Sequence, residues 1–202
     1  MLGVALGGRA AGDAVVLGIA RGGVIVGRAV ADVLGAPLDV VIPRKIGAPR
    51  NPELGLGAIA PGIRVLDERL LEVLHVSEEY LEGEIAAEEA EIERRTRAYR
   101  GDRPPIPLDG RTAVVVDDGI ATGGTAVAAI RWARARGAVK VVLAVPVAPG
   151  EAVARMANEA DEVIVIETPP VFQAVGQWYR DFGQTTDTEV VAALGVGDGE
   201  SG

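Results

Sequence analysis

This chain of 202 residues contains no cysteine, and its one histidine is His75. A disulfide framework and any thiolate metal site are thereby excluded, and a histidine-based zinc or iron centre lacks ligands. Any metal would be hard and oxygen-ligated, such as Mg2+. Of twenty basic residues only two, Lys45 and Lys140, are lysine, and aromatics make up 3% of the chain. No apolar run approaches the roughly 18 residues of a membrane span, and no charged segment, apolar run and cleavage site open the chain. No membrane partner and a cytoplasmic setting are the resulting expectations. A net charge of −9 argues against a protein that coats nucleic-acid phosphates, although a local cationic site is compatible with it.

What is abundant is glycine, 27 residues, within a composition that is 49% hydrophobic and dominated by Val, Ala, Leu and Ile. The length suits one domain over residues 1–202 that can bury its own core. Short, nearly continuous apolar runs recur at Val15–Ala20, Leu38–Ile42, Ala113–Val116, Val139–Val145 and Glu162–Ile166. Strands with both faces covered read this way, in contrast to the alternation of a half-solvated sheet. Helical patterns lie between them at Gly22–Leu34, Thr125–Arg136 and Pro149–Ala160, with Gly35 and Gly137 placed as C-caps for the first two. The alternation predicts an α/β fold with a doubly wound, mainly parallel five-stranded sheet, its core spanning about residues 13–166.

Three segments interrupt this order. Gly55–Ala58 and Arg64–Asp67 flank the turn dipeptide Pro61-Gly62 and predict a hairpin. Residues 77–100 carry many Glu first and Arg last, in accord with the helix dipole, and predict one long inserted charged helix with an apolar stripe of Leu81, Ile85, Ile92 and Tyr99. Residues 167–195 predict a small hood or flap, and the glycine-rich tail from Gly195 is expected to fray.

The most informative stretch is Ala113-Val114-Val115-Val116-Asp117-Asp118-Gly119-Ile120-Ala121-Thr122-Gly123-Gly124-Thr125. A buried strand runs into two acids, a small-residue loop and a helix, and ligands of open α/β sheets bind beyond such strand ends. Adjacent carboxylates there repel and call for a cation or a hydroxyl-bearing ligand. Residues Ala121 to Thr125 can turn successive amides toward one point at a helix N-terminus, which is a cradle for phosphate. Acids for sugar hydroxyls or Mg2+ beside a phosphate cradle describe a ribose 5-phosphate site.

This stretch resembles the signature of the type I phosphoribosyltransferase family. The resemblance implies that Asp117 and Asp118 hold the ribose hydroxyls of phosphoribosyl pyrophosphate (PRPP), and that Ala121, Thr122, Gly123, Gly124 and Thr125 hold its 5-phosphate. Gly119 stands where many members carry an apolar residue. The turn Arg21-Gly22-Gly23 after the first strand corresponds to the loop that grips pyrophosphate in the family. After the second strand, Arg44 and Lys45 could neutralise departing pyrophosphate. The Pro- and Gly-punctuated run that follows them suits a mobile closing loop. Pro43 to Pro49 with Asn51-Pro52-Glu53 is similar to a bacterial phosphoribosyltransferase-like subfamily more than to the purine or orotate enzymes.

Four of the seven aromatics fall at Phe172, Trp178, Tyr179 and Phe182, after the last strand, where the family binds its acceptor base. Phe172, Val175, Trp178 and Tyr179 are the acceptor-binding expectation, and Asp181 is a magnesium candidate. The implied reaction moves a 5-phosphoribosyl group from PRPP to a nitrogenous base, with Mg2+ as cofactor, Asp117, Asp118, Lys45 and Arg44 as catalytic residues, and pyrophosphate released. The charged helix and the aromatic segment favour a homodimer. The alternative is a non-catalytic PRPP- or nucleotide-binding regulator. A hydrolase is disfavoured, because no G-x-S-x-G elbow and no P-loop occur, and Gly55-Leu56-Gly57-Ala58-Ile59-Ala60 meets Pro61 where a dinucleotide fingerprint would open a helix. His75 reads as a surface residue.

Overall fold

A computed structural model of the protein describes residues 1–7 and 12–195. A short helix α1 (Leu2–Ala5) leads to strand β1 (Ala14–Ile19), helix α2 (Gly22–Leu34) and strand β2 (Leu38–Val41). Strands β3 (Arg44–Ala48), β4 (Asn51–Ala60) and β5 (Ile63–Leu66) follow, then helices α3 (Glu68–Val73) and α4 (Glu78–Arg100). The rest alternates: β6 (Thr112–Val116), α5 (Gly124–Ala135), β7 (Lys140–Val147), α6 (Gly150–Met156) and β8 (Glu162–Glu167). A 3-10 turn at Val175–Trp178 and helix α7 (Asp187–Ala193) complete the described chain. The tail beyond Gly195 lies outside the described residues, and none of the described helices is long and apolar enough to cross a membrane.

The main sheet is parallel, five-stranded and ordered β2-β1-β6-β7-β8. Side chains alternate across each strand, so β1 divides itself between two cores. Val15, Leu17 and Ile19 pack with α5 on one face, while Ala14, Val16, Val114 and Val142 pack with α1 and α2 on the other. This two-sided burial is why the strands read as continuous apolar runs. Helix α2 ends as expected, at Gly35 in the left-handed region with φ 62°, a conformation glycine adopts without steric cost.

A second sheet, β3-β4-β5, is antiparallel and carries a third apolar cluster with α4 and α7. Here the expected mobile loop gives way to structure. Arg44 to Ala48 pairs with β4 through a register shift around Gly47, and Ile46 and Ala48 are buried. The Pro- and Gly-rich punctuation marks the bulge and the tip of a longer hairpin, because the pairing partner satisfies the backbone that composition alone leaves open.

Helix α4 is solvated on one side only. Its expected stripe is buried at Ile85, Ile92 and Tyr99 against the hairpin, with Leu81 partly covered. Each such burial contributes about 1.5–3 kcal/mol. At its C-terminal end, Arg100 donates to buried Asp39 at 2.9 Å and to the Val40 carbonyl at 2.5 Å, tying the helix to β2. Glu91 pairs with Arg95 and Glu93 with Arg97, each four residues apart along the helix. In the 167–195 segment, α7 departs from the expected flap: Val190 is fully buried with α4 and the hairpin, so this helix belongs to the body.

Candidate active site

Strands β1 and β6 are parallel neighbours, with Gly18 paired to Val116, yet their connections run to opposite sides of the sheet. Such a switch point opens a crevice beyond the strand ends. The turn after β1 and the acids after β6 therefore meet. A methyl group at Gly22 would stand 1.9 Å from Asp118 Oδ2, and one at Gly23 would stand 2.6 Å from the Val116 carbonyl. The two glycines let the start of α2 lie flush against the acid pair.

The Asp118 amide donates to Asp117 Oδ1 at 2.9 Å, and neither carboxylate forms an ion pair among the described residues. Burial, then the Asp118 charge, push Asp117 well above the ordinary carboxylate range, and burial raises Asp118 as well. A pair held in this way is satisfied by a cation or by hydroxyl donors.

The loop after the acids is anchored by the Ile120 amide, which donates to Val147 O at 3.0 Å. It closes on Gly123, whose φ of 81° is left-handed and which caps α5 with no side-chain hydrogen bond. The helix ladder starts with the Val127 amide donating to Gly123 O at 2.9 Å, so the amides that precede it have no acceptor within the helix. These free amides and the positive end of α5 favour an anion. A cleft of about 790 Å³ opens over this loop, with β3, β4 and β5 as its facing wall.

Residues 9–181 match the family model of the phosphoribosyl transferase domain. The chain belongs to this family. It is 52% identical over 181 residues to Mycobacterium tuberculosis proteins whose names assign them provisionally to phosphoribosyl transfer, covering 89% of this chain. The chain spans 41% of the length of those curated relatives. It is 34% identical over 136 residues to a uracil phosphoribosyltransferase of Nocardioides, covering 64% of this chain and 61% of that protein. The crystal structure of the protein TT1426 from Thermus thermophilus superposes with a TM-score of 0.80 at 44% identity, covering 96% of this chain and 92% of that one.

Within this phosphoribosyl transferase domain, Asp117, Ala121, Thr122, Gly123, Gly124, Thr125, Lys45 and Val175 all line the one cleft. Arg44 does not. Neighbouring strand residues point to opposite faces, and Arg44 turns to α4, where it donates to Glu88 at 2.5 and 3.2 Å. Lys45, on the cleft side, reaches the Glu53 carbonyl at 3.1 Å. Arg21 sits beside the acids, but its guanidinium faces Asp187 of α7 at 4.0 Å. The family-like turn thus brings Gly22 and Gly23 to the acid pair and directs the Arg21 charge elsewhere.

The flap contributes in a way the sequence did not suggest. Val175 fills the space above Gly119, where a methyl group would lie 2.6 Å from Val175 Cγ1, so the absence of an apolar side chain at 119 is matched by one from the flap. The Tyr179 hydroxyl donates to the Asp118 carbonyl at 2.6 Å. Burial and the two nearby acids push Tyr179 up to about 12, which keeps this donor protonated. Phe172 and Trp178 are absent from the cleft lining, and Trp178 is 42% exposed. Asp181 is exposed, and no group of three candidate metal ligands exists among the described residues. His75 is exposed as expected and does not line this cleft. Arg131 on α5, Arg155 on α6 and Glu159 in the turn after α6 also line it, and no motif in the sequence singles them out.

Proposed function

We propose that this domain binds PRPP with its ribose 5-phosphate on the loop 121–125 and its ribose hydroxyls on Asp117 and Asp118, and transfers the phosphoribosyl group to a nitrogenous base. The observation that carries this reading is that Asp117, which has no cationic partner and accepts from the amide of adjacent Asp118, lines one cleft with the uncommitted helix-terminal amides, while Asp118 itself lies outside the cleft lining. In the reaction, a ring nitrogen of the acceptor forms a bond to C1′ of the ribose. The bond from C1′ to the pyrophosphate oxygen breaks with its electron pair, and the acceptor proton is lost to solvent.

The transition state carries positive charge on the sugar and growing negative charge on pyrophosphate. Asp117 and Asp118 stabilise the first, while Lys45 and the backbone at Gly22 and Gly23 meet the second. No cluster of three candidate metal ligands stands among the described residues; Asp117 and Asp118, hard oxygen donors with no cationic partner, are the residues that would hold Mg2+, with the ligand supplying the remaining oxygens. Bound there, Mg2+ would neutralise pyrophosphate charge. Val175 at the cleft end of the flap is the proposed acceptor contact. The exposed Trp178 and Phe182 beside it support a homodimer through the flap, which sedimentation of the purified chain tests.

The commitment of Arg21 to Asp187 and of Arg44 to Glu88 favours, as the second reading, a PRPP-binding regulator, since it leaves fewer cations for a departing pyrophosphate. A screen of purine, pyrimidine and pyridine bases for pyrophosphate release with PRPP and Mg2+ separates the two. Release on any base supports the transferase. PRPP binding with no release on any base supports the regulator.

A further inference from the structure

Three cations line the cleft besides the loop amides, and they differ in what already holds them. Lys45 is paired with Glu53, and Arg131 donates twice to Glu159, at 3.0 and 2.6 Å. Arg155 forms no ion pair among the described residues. Its Nη1 donates instead to the Thr122 carbonyl at 3.1 Å, within the proposed phosphate loop itself. Glu159 feels the Arg155 charge, but its oxygens are taken by Arg131.

Arg155 and its neighbour Met156 form the last turn of α6, and both bear on this loop. The Met156 methyl lies 2.8 Å from where a side chain at Gly123 would begin, so Met156 fills the underside of the left-handed residue that caps α5. Arg155 grips the residue before it. The same turn of α6 therefore shapes the loop and brings to it a guanidinium with unused donors, in a cleft where every other lining cation is compensated. A phosphate seated on the loop supplies the missing counter-charge, and guanidinium suits phosphate oxygens through its planar fork.

We propose, resting on the assignment of loop 121–125 to the 5-phosphate, that Arg155 is a phosphate-binding and specificity-determining residue. It would select donors whose ribose carries a doubly charged 5-phosphate, through charge from α6 added to the amides of α5. A phosphate that has lost its second proton, above pH of about 6, would gain most from this charge.

Calorimetric titration of the full chain with ribose 5-phosphate, and separately with inorganic pyrophosphate and Mg2+, tests this on the wild type, Arg155→Ala, Arg155→Gln and Arg155→Lys, with thermal melting of each to verify folding. Arg155→Gln removes the charge and leaves a polar amide, and Arg155→Lys keeps the charge. Arg155→Ala and Arg155→Gln are expected to weaken ribose 5-phosphate roughly ten- to one-hundred-fold and leave pyrophosphate unchanged, with Arg155→Lys recovering part of the loss. Wild-type affinity in Arg155→Gln would reduce Arg155 to a brace for the loop and overturn the inference, as would equal losses of both ligands. A wild type that binds neither ribose 5-phosphate nor PRPP would remove the site assignment beneath it. Wild-type binding with an indifferent Arg155→Ala would remove only the inference.

Discussion

The Asp118 carboxylate occupies the space that any side chain at Gly22 would need, with Oδ2 only 1.9 Å from a methyl group at that position. The start of α2 and the end of β6 thus depend on each other. Gly22→Ala is expected to force the carboxylate aside, destabilise the fold by about 1–3 kcal/mol and weaken PRPP binding at least tenfold. Calorimetry beside thermal melting checks both effects. An unchanged affinity would disconnect this turn from the site.

The raised carboxyls make stability pH-dependent in the unliganded protein. Between the ordinary carboxylate value, about 3.9, and the raised folded value, the folded state holds more protons than the unfolded state, so unfolding free energy falls as pH rises through that window. Asp117→Asn removes this burden. Its melting temperature should exceed that of the wild type at pH 7 and converge with it at acid pH, while PRPP affinity falls. PRPP and Mg2+ favour the ionised pair, so their binding should release protons, which titration in buffers of different ionisation enthalpy detects. An Asp117→Asn variant less stable than the wild type at pH 7 would contradict the assignment of strain to this pair.

Gly119 and Val175 form a matched pair across the flap. Gly119→Ala should cost about 1–3 kcal/mol by displacing Val175, and Val175→Ala in the same chain should restore much of it. A double-mutant cycle in urea is expected to give a coupling of about 0.5–3 kcal/mol. Simple additivity would mean that the flap does not rest on this loop.

Lys45 and Arg44 are adjacent in sequence and opposed in space. Lys45→Ala should raise the KM for PRPP with little change in stability. Arg44→Ala should leave Glu88 unpaired in a part-buried contact, lowering stability by about 1–2 kcal/mol while KM stays near the wild-type value. The reverse pattern would place the pyrophosphate charge on the wrong face of β3.

The parallel sheet is legible because β1, β2, β6 and β7 are buried on both faces and two crossover helices end at left-handed glycines, Gly35 after α2 and Gly137 after α5. The proposed phosphate loop stands out in the sequence because its chemistry is local to residues 117–125. Strand β3 does not, since its backbone is satisfied by β4, a partner some ten residues away around a bulge that mimics loop composition. The destinations of Arg21 and Arg44 depend on Asp187 and Glu88, which no local pattern connects to them. Helix α7 carries a start signal of its own in the sequence. Thr186 and Glu189 form a reciprocal capping box directly before Val190, the residue that buries the helix.

The most direct test of the ribose 5-phosphate site is titration of PRPP with Mg2+ into the wild type and into a chain carrying both Asp118→Asn and Thr122→Ala. The wild type is expected to bind saturably and the variant at least tenfold more weakly at unchanged fold. Equal affinity in the two would contradict the site.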